Sequence, residues 1–246
     1  MKKIYFKVLR FFFRLLFVVS SFSMSSAYAG NQTIPDSQRA LEARKRVSAS
    51  LKTALDKKGL TLGSPLFIRI IKAESRLEVW LQKESEFVLF KDYKICNFSG
   101  GLGPKTKVGD EQAPEGFYFV KAQQLNPWSR FHLSFNLGFP NAYDRAHGYT
   151  GSALMVHGSC VSIGCYAMTD RYIDEIYTLA YAAFEHGQAY FRVHIFPFAM
   201  TDENLQKHVN HYWYYFWKNL KEGYDFFEEK KMPPNVQVAN KRYVFN

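Results

Sequence analysis

The chain has 246 residues, 47% of them hydrophobic, with 32 Lys and Arg against 22 Asp and Glu and a formal net charge of +10. That length suits one globular domain with extensions. Its three cysteines, Cys96, Cys160 and Cys165, are too few for a disulfide scaffold, and an odd number leaves at least one thiol unpaired, which points to a reactive cysteine.

The first residues carry Lys2, Lys3, Lys7, Arg10 and Arg14 with no acid, then an apolar run from Phe11 to Val19, then Ala27-Tyr28-Ala29. This is the pattern of a secretory signal, so residues 1–29 are expected to be cleaved after Ala29 and the remainder exported to the periplasm. The apolar run is well short of the roughly 20 residues a membrane anchor requires. Subtracting those five basic residues from +10 leaves +5 on the mature chain. A charge that mild gives no support to a nucleic-acid partner and suits an anionic polymer or an ordinary solvated surface.

Residues 30–62 read as an N-terminal helical arm. Asp36 is placed as the cap of an amphipathic helix running toward Lys58, with Leu41, Val47, Leu51 and Leu55 on one face and Gly59 as its stop. A basic polar face admits a membrane-surface helix, but a packing arm is the favoured reading. From residue 63 to 198 the period becomes that of strands. Leu66 to Ile71, Leu77 to Leu81, Phe87 to Ile95, Gly116 to Lys121, Phe131 to Leu137 and Ala153 to His157 read as strands. Within Ser99-Gly-Gly-Leu-Gly-Pro104, Gly100 and Gly101 allow the backbone to come close to a ligand.

Thr169 caps a predicted helix over Asp170 to Phe184, and Tyr190 to Phe196 follows as a strand. Residues 199–246 form a helical extension and tail, with one helix from Thr201 toward Leu220 and an extended stretch from Lys230. The aromatic density of Tyr212 to Trp217 reads first as a packing face, with any surplus rings available to stack on sugars. The fold class is therefore mainly β with flanking helices, α+β.

The chemistry concentrates in Leu154-Met-Val-His157-Gly158-Ser-Cys160-Val-Ser162-Ile-Gly164-Cys165. A thiol attacks as its thiolate and needs a nearby imidazole or a positive helix end to ionise at neutral pH, and Cys165 is expected to have both in His157 and the Thr169 helix. Gly158 O or Ser162 Oγ is expected to hold the second ring nitrogen of His157. The amides around Gly164 and Cys165 are expected to serve as an oxyanion hole. Tyr143 and Arg145 are candidates to line a substrate groove, Arg145 against a carboxylate, with a surface ion pair as the alternative. A zinc site from His157, Cys160 and Cys165 lacks the spacing of closed zinc sites, so no metal and no cofactor is expected. A papain-like protease is disfavoured because its cysteine precedes its histidine.

These motifs resemble the L,D-transpeptidase catalytic domain (YkuD-like) family, and within it the YafK-like branch, over roughly Gly63 to Pro234. The resemblance is carried by His157-Gly158, by Ser162-Ile163-Gly164-Cys165, by Ala113-Pro114-Glu-Gly116-Phe117, and by Asn136 to Arg145 with His147-Gly148. It implies a β-sandwich catalytic domain with Cys165 as nucleophile and His157 as base. It also implies a reaction at the L-centre carbonyl of the third residue, diaminopimelate, of peptidoglycan stem peptides. The thioester formed there is resolved by an amine, which is transpeptidation, or by water, and the YafK-like branch favours hydrolysis of the amide to a peptidoglycan-linked lipoprotein. Ile163 and Ala167 depart from the family pattern, as does the spacing of only eight positions between His157 and Cys165. The alternative is a non-catalytic wall-binding module of the same fold. Cys160 reads as a spectator, and its pairing with Cys96, which would leave Cys165 the single free thiol, stays open.

Overall fold

The computed structural model describes residues 33–246. The expected signal peptide and its cleavage point lie outside the described residues. In chain order the elements begin with α1 (Gln38–Asp56), β1 (Leu66–Ile71), β2 (Arg76–Lys83), β3 (Glu86–Lys94), β4 (Asn97–Phe98) and β5 (Gly116–Lys121). Next come β6 (Leu125–Asn126), β7 (Ser134–Asn136), α2 (Ala142–Ala146), β8 (Met155–His157), β9 (Tyr166–Ala167) and α3 (Asp170–Glu185). The chain ends with β10 (Tyr190–Phe196), α4 (Asp202–Gln206), α5 (Tyr214–Lys230) and the hairpin β11 (Val236–Ala239) and β12 (Arg242–Phe245).

Two five-stranded sheets, ordered β3-β2-β1-β10-β5 and β4-β9-β8-β7-β6, carry the domain. The run Leu66–Ile71 is buried at every position because β1 is a central strand, with β10 parallel on one side and β2 antiparallel on the other. One core cluster lies between the sheets and under α1 and α3, taking Ile68, Val120 and Val193 from the first sheet and Phe135, Val156 and Tyr166 from the second. The opposite face of the first sheet is covered by α5 and the hairpin, which bury Ile71, Phe117 and Phe196 with Trp217 and Tyr243. Helix and strand are present in comparable amounts.

Three expectations need correction. Ser37, not Asp36, caps α1, accepting from Ala40 N at 3.2 Å, while Asp36 turns to Arg44 at 2.7 Å. The face of α1 is completed by Ala40 and Ala43, and Leu41 is only half-buried. The helix placed from Thr201 to Leu220 is two helices, because Phe198 stacks on His208 and His211 on Trp217, holding the chain in a turn between them. Past that turn α5 runs through Gly223, where a Cβ would lie 2.4 Å from Phe245 and 2.6 Å from Phe117, so the bare backbone is what lets the helix seat. The tail expected to be simply extended folds back as β11–β12 across Asn240 and Lys241, both at positive φ.

Candidate active site

The second sheet assembles the site. β8 and β9 run parallel, Val156 beside Tyr166 and His157 beside Ala167, so one step back sets Met155 beside Cys165. Val156 and Tyr166 face the core, and alternation turns Met155, His157 and Cys165 to the outer face. Cys165 Sγ accepts from Met155 N at 3.4 Å and lies 3.8 Å from Ala153 O. Cys165 and His157, eight positions apart in sequence, therefore share one face two residues apart along neighbouring strands.

His157 is buried, tilted against Phe131 with ring centroids 4.6 Å apart. Its Nδ1 lies 2.6 Å from Gly158 O, an arrangement that holds the proton on Nδ1 and leaves Nε2 with its lone pair. Burial pushes the imidazole below its ordinary 6.5, opposed by the Gly158 carbonyl. Gly158 itself is wedged: a Cβ there would meet Asp170 Oδ1 at 2.6 Å and Phe131 O at 3.0 Å. Ser162 is not the histidine's partner. Its Oγ accepts from Cys165 N at 2.9 Å and donates to Cys165 O at 2.6 Å, closing the turn that presents the sulfur. The Cys165 amide expected in the oxyanion hole thus already has a partner in Ser162 Oγ, and Gly164 beside it has φ +110.

Burial raises the Cys165 thiol above its ordinary 9.0, and the groups that counter it are the Met155 N–H and the Lys105 ammonium. At the start of α3, Asp170 Oδ1 accepts from Ser159 N at 2.8 Å, so that terminus holds the Gly158–Ser159 loop. Lys105 escaped the sequence reading, as lysines in a loop ordinarily sit in solvent. Here it is buried, donating to Asp110 Oδ1 at 2.5 Å and to Lys107 O at 2.9 Å.

β4 borders β9 with Asn97 beside Ala167 and Phe98 beside Tyr166, so the next step sets Ser99 alongside Cys165 and brings Gly100 to the edge of the cleft. Gly100, at φ +82, is overlain by Gln112, whose Oε1 would sit 1.9 Å from a Cβ there, whereas Gly101 is open. The structure does not bring Tyr143 or Arg145 to this cleft. Tyr143 is core, stacked between His147 at 4.1 Å and Tyr243 at 4.5 Å, and Arg145 donates to Pro140 O. On the other side of Met155 a cavity of about 860 Å³ is lined by Ala153, Phe131, Trp128 and Arg130, none of which the sequence reading singled out.

Cys160 is bonded to Cys96, with Cα atoms 5.3 Å apart, and Cys165 is the free cysteine. The bond takes Cys160 out of any zinc set and straps the loop between His157 and Cys165 to the residue preceding β4.

The arrangement is that of a thiol and a tautomer-fixed imidazole on one sheet face, two residues apart along neighbouring strands. Residues 66–195 match the model of the L,D-transpeptidase catalytic domain, YkuD, and the chain belongs to that family. It is 50% identical over 199 residues to YafK of Escherichia coli (strain K12), named as an L,D-transpeptidase, covering 80% of this chain and 81% of that one. The same protein of Escherichia coli O157:H7 matches equally. Among solved structures, the helical cell shape determining protein Pgp2 from Campylobacter jejuni aligns at 16% identity over 77% of this chain and 80% of that one, with a TM-score of 0.43. Bd1075 of Bdellovibrio bacteriovorus aligns at 16% identity over 72% and 78%, with a TM-score of 0.38.

Proposed function

We propose that this chain is an exported cysteine acyl-transfer enzyme of peptidoglycan, acting at the L-centre carbonyl of the third stem-peptide residue. The observation that carries the reading is the shared sheet face of Cys165 and His157, with His157 Nδ1 pinned 2.6 Å from Gly158 O. In the first step the thiol proton passes to His157 Nε2 as Sγ bonds to the carbonyl carbon. The carbon–nitrogen bond then breaks, and the leaving amine takes the proton. In the second step water or an acceptor amine attacks the thioester, the carbon–sulfur bond breaks and the proton returns to sulfur.

Hydrolysis of the amide between peptidoglycan and a lipoprotein lysine is the outcome favoured by the YafK-like resemblance of the motifs, and L,D-transpeptidation, the activity in the name of the relatives at 50% identity, is the competing one. Export to the periplasm is supported by the leader pattern and by the Cys96–Cys160 disulfide, which suits an oxidising compartment. Among the described residues no helix is long and apolar enough to cross a membrane. The test is incubation of purified protein with muropeptides, with and without a lipoprotein-derived lysine at the third residue, and mass analysis of products. Release of the lysine-bearing peptide with a free carboxyl on the stem is the expected result. A 3-3 crosslinked dimer would transfer the assignment to transpeptidation. Absence of any product, with Cys165 unmodified by a carbapenem or thiol reagent, would reduce the chain to a non-catalytic wall-binding module, whereas full activity in Cys165→Ala would remove Cys165 as the nucleophile.

A further inference from the structure

The cover on the outer face of the first sheet is incomplete. α5 and the hairpin bury Phe117 and Phe196, but the far end of β5 and the start of β10 extend past them. There Phe119 pairs with Arg192 across the strands, and Lys121 with Tyr190, so alternation puts all four side chains on one face as a two-by-two patch. Phe119 is 51% exposed and Tyr190 38%, their rings edge to face with centroids 5.6 Å apart. Lys121 Nζ is 6.0 Å from the Phe119 centroid, and Arg192 Cζ is 5.2 Å from that of Tyr190. The facing wall is the C-terminal segment, where Asn235 Oδ1 accepts from Arg192 at 2.7 Å and Gln237 lies beyond it. Between floor and wall is a cavity of about 860 Å³, within the usual range for ligand sites.

Half-exposed rings on a rigid sheet offer flat apolar area, and carboxamide side chains supply both donors and acceptors. Together they match a pyranose ring that carries acetamido and hydroxyl groups. The two cations add complementarity to a carboxylated sugar. Gln123 lines both this cavity and the one that takes in Ala153 and Met155.

We propose that the Phe119–Tyr190 patch binds the amino-sugar glycan strand of the polymer whose stem peptide enters at Cys165. This rests on the proposed function for the identity of the polymer, and it adds a site for the glycan, separate from the reacting peptide. The test uses purified protein carrying Cys165→Ala, so that no turnover enters the measurement. It is titrated calorimetrically with N-acetylglucosamine tetramer, with peptide-free glycan strands bearing lactyl carboxylates, and with free stem peptide.

Both glycans are expected to bind, and Phe119→Ala and Tyr190→Leu each to weaken them by about tenfold or more, the scale of losing one anchoring contact. Arg192→Gln is expected to weaken the carboxylated strand more than the neutral tetramer. Tyr190→Leu keeps most of the apolar area and serves if Phe119→Ala does not fold. Equal glycan affinity in all variants would overturn the proposal. So would stem peptide being the only ligand lost, or a concentration-dependent dimer that Phe119→Ala dissolves. Loss of the glycan result would leave Cys165 chemistry standing, and an inert Cys165 would leave the glycan result standing.

Discussion

Met155 donates its backbone N–H to Cys165 Sγ at 3.4 Å, and two residues further along the same strand stands His157. This bond and Lys105 act against the burial that raises the thiol above its ordinary 9.0, while burial holds His157 below 6.5. At neutral pH the pair is thus a thiol and a neutral imidazole, the protonation states that the proposed proton transfer requires. In the wild type, kcat/KM is expected to be flat through neutral pH and to fall on the acid side only below 6.5. His157→Gln should lower it by about 10²- to 10⁴-fold at pH 7. The variant's rate should then climb about tenfold per pH unit as the unaided thiol ionises. A pH–rate series on a soluble stem peptide checks this, and an unchanged profile would remove His157 from the base role.

Lys105 bears on the same equilibrium from outside the motif. Asp110 is raised by burial, yet the Lys105 ammonium and the backbone N–H groups of Lys107, Thr106 and Gln112 bring it down to about 2, so it stays ionised and holds the lysine through the working range. Lys105→Met is expected to move the alkylation pKa of Cys165 upward, since one positive charge is lost near the thiolate. Lys105→Arg should move it less. Iodoacetamide labelling rates across pH, followed by mass spectrometry, provide the measurement, and identical curves for Met and wild type would refute the role.

The Cys96–Cys160 bond closes a loop of sequence separation 64 and ends inside the segment joining His157 to Cys165. In the chain-entropy view such a loop stabilises by about 4 kcal/mol. Ser159 and Cys160 both have positive φ, at 68° and 56°, a conformation the bond helps to hold. Cys96→Ser with Cys160→Ser is expected to lower Tm and to slow Cys165 acylation by a carbapenem, as Gly158 and Ser162 lose their fixed frame. Acylation at the wild-type rate would confine the disulfide to stability.

What the sequence made legible follows burial. β1, β5 and β10 are bounded as their apolar runs indicate, because each is a strand whose packing dictates its residues. Thr169 caps α3 as read, accepting from Tyr172 N. The placing of His157 and Cys165 on neighbouring strands agrees with their pairing in the sequence, but Ser162's partner was not legible, since a hydroxyl can satisfy either a ring nitrogen or its own turn. The hairpin across Asn240-Lys241 was hidden because a lysine at φ 59° carries no turn signal of the Asn-Gly kind. Buried charges such as Lys72, Glu115 and Lys105 were invisible for a simpler reason: these residue types default to the surface.

Lys72 and Glu115 show what such hidden charges do. Both are fully enclosed, with Nζ 3.1 Å from Glu115 Oε1 and donating to Gly103 O at 2.9 Å and Ala113 O at 3.1 Å. Glu115 in turn accepts from Gly103 N at 2.7 Å and from Trp217 Nε1 at 2.8 Å. The pair therefore ties the glycine loop beside the cleft to α5. Burial pushes Lys72 down and Glu115 opposes it. Removing one partner strands the other and is expected to cost about 3–5 kcal/mol for Lys72→Met or Glu115→Gln. The double variant should cost clearly less than the sum, because no orphaned charge remains. Urea unfolding of the four proteins measures that coupling. Additive losses would mean that the two residues stabilise the loop separately and that their ion pair is incidental to the order of the cleft.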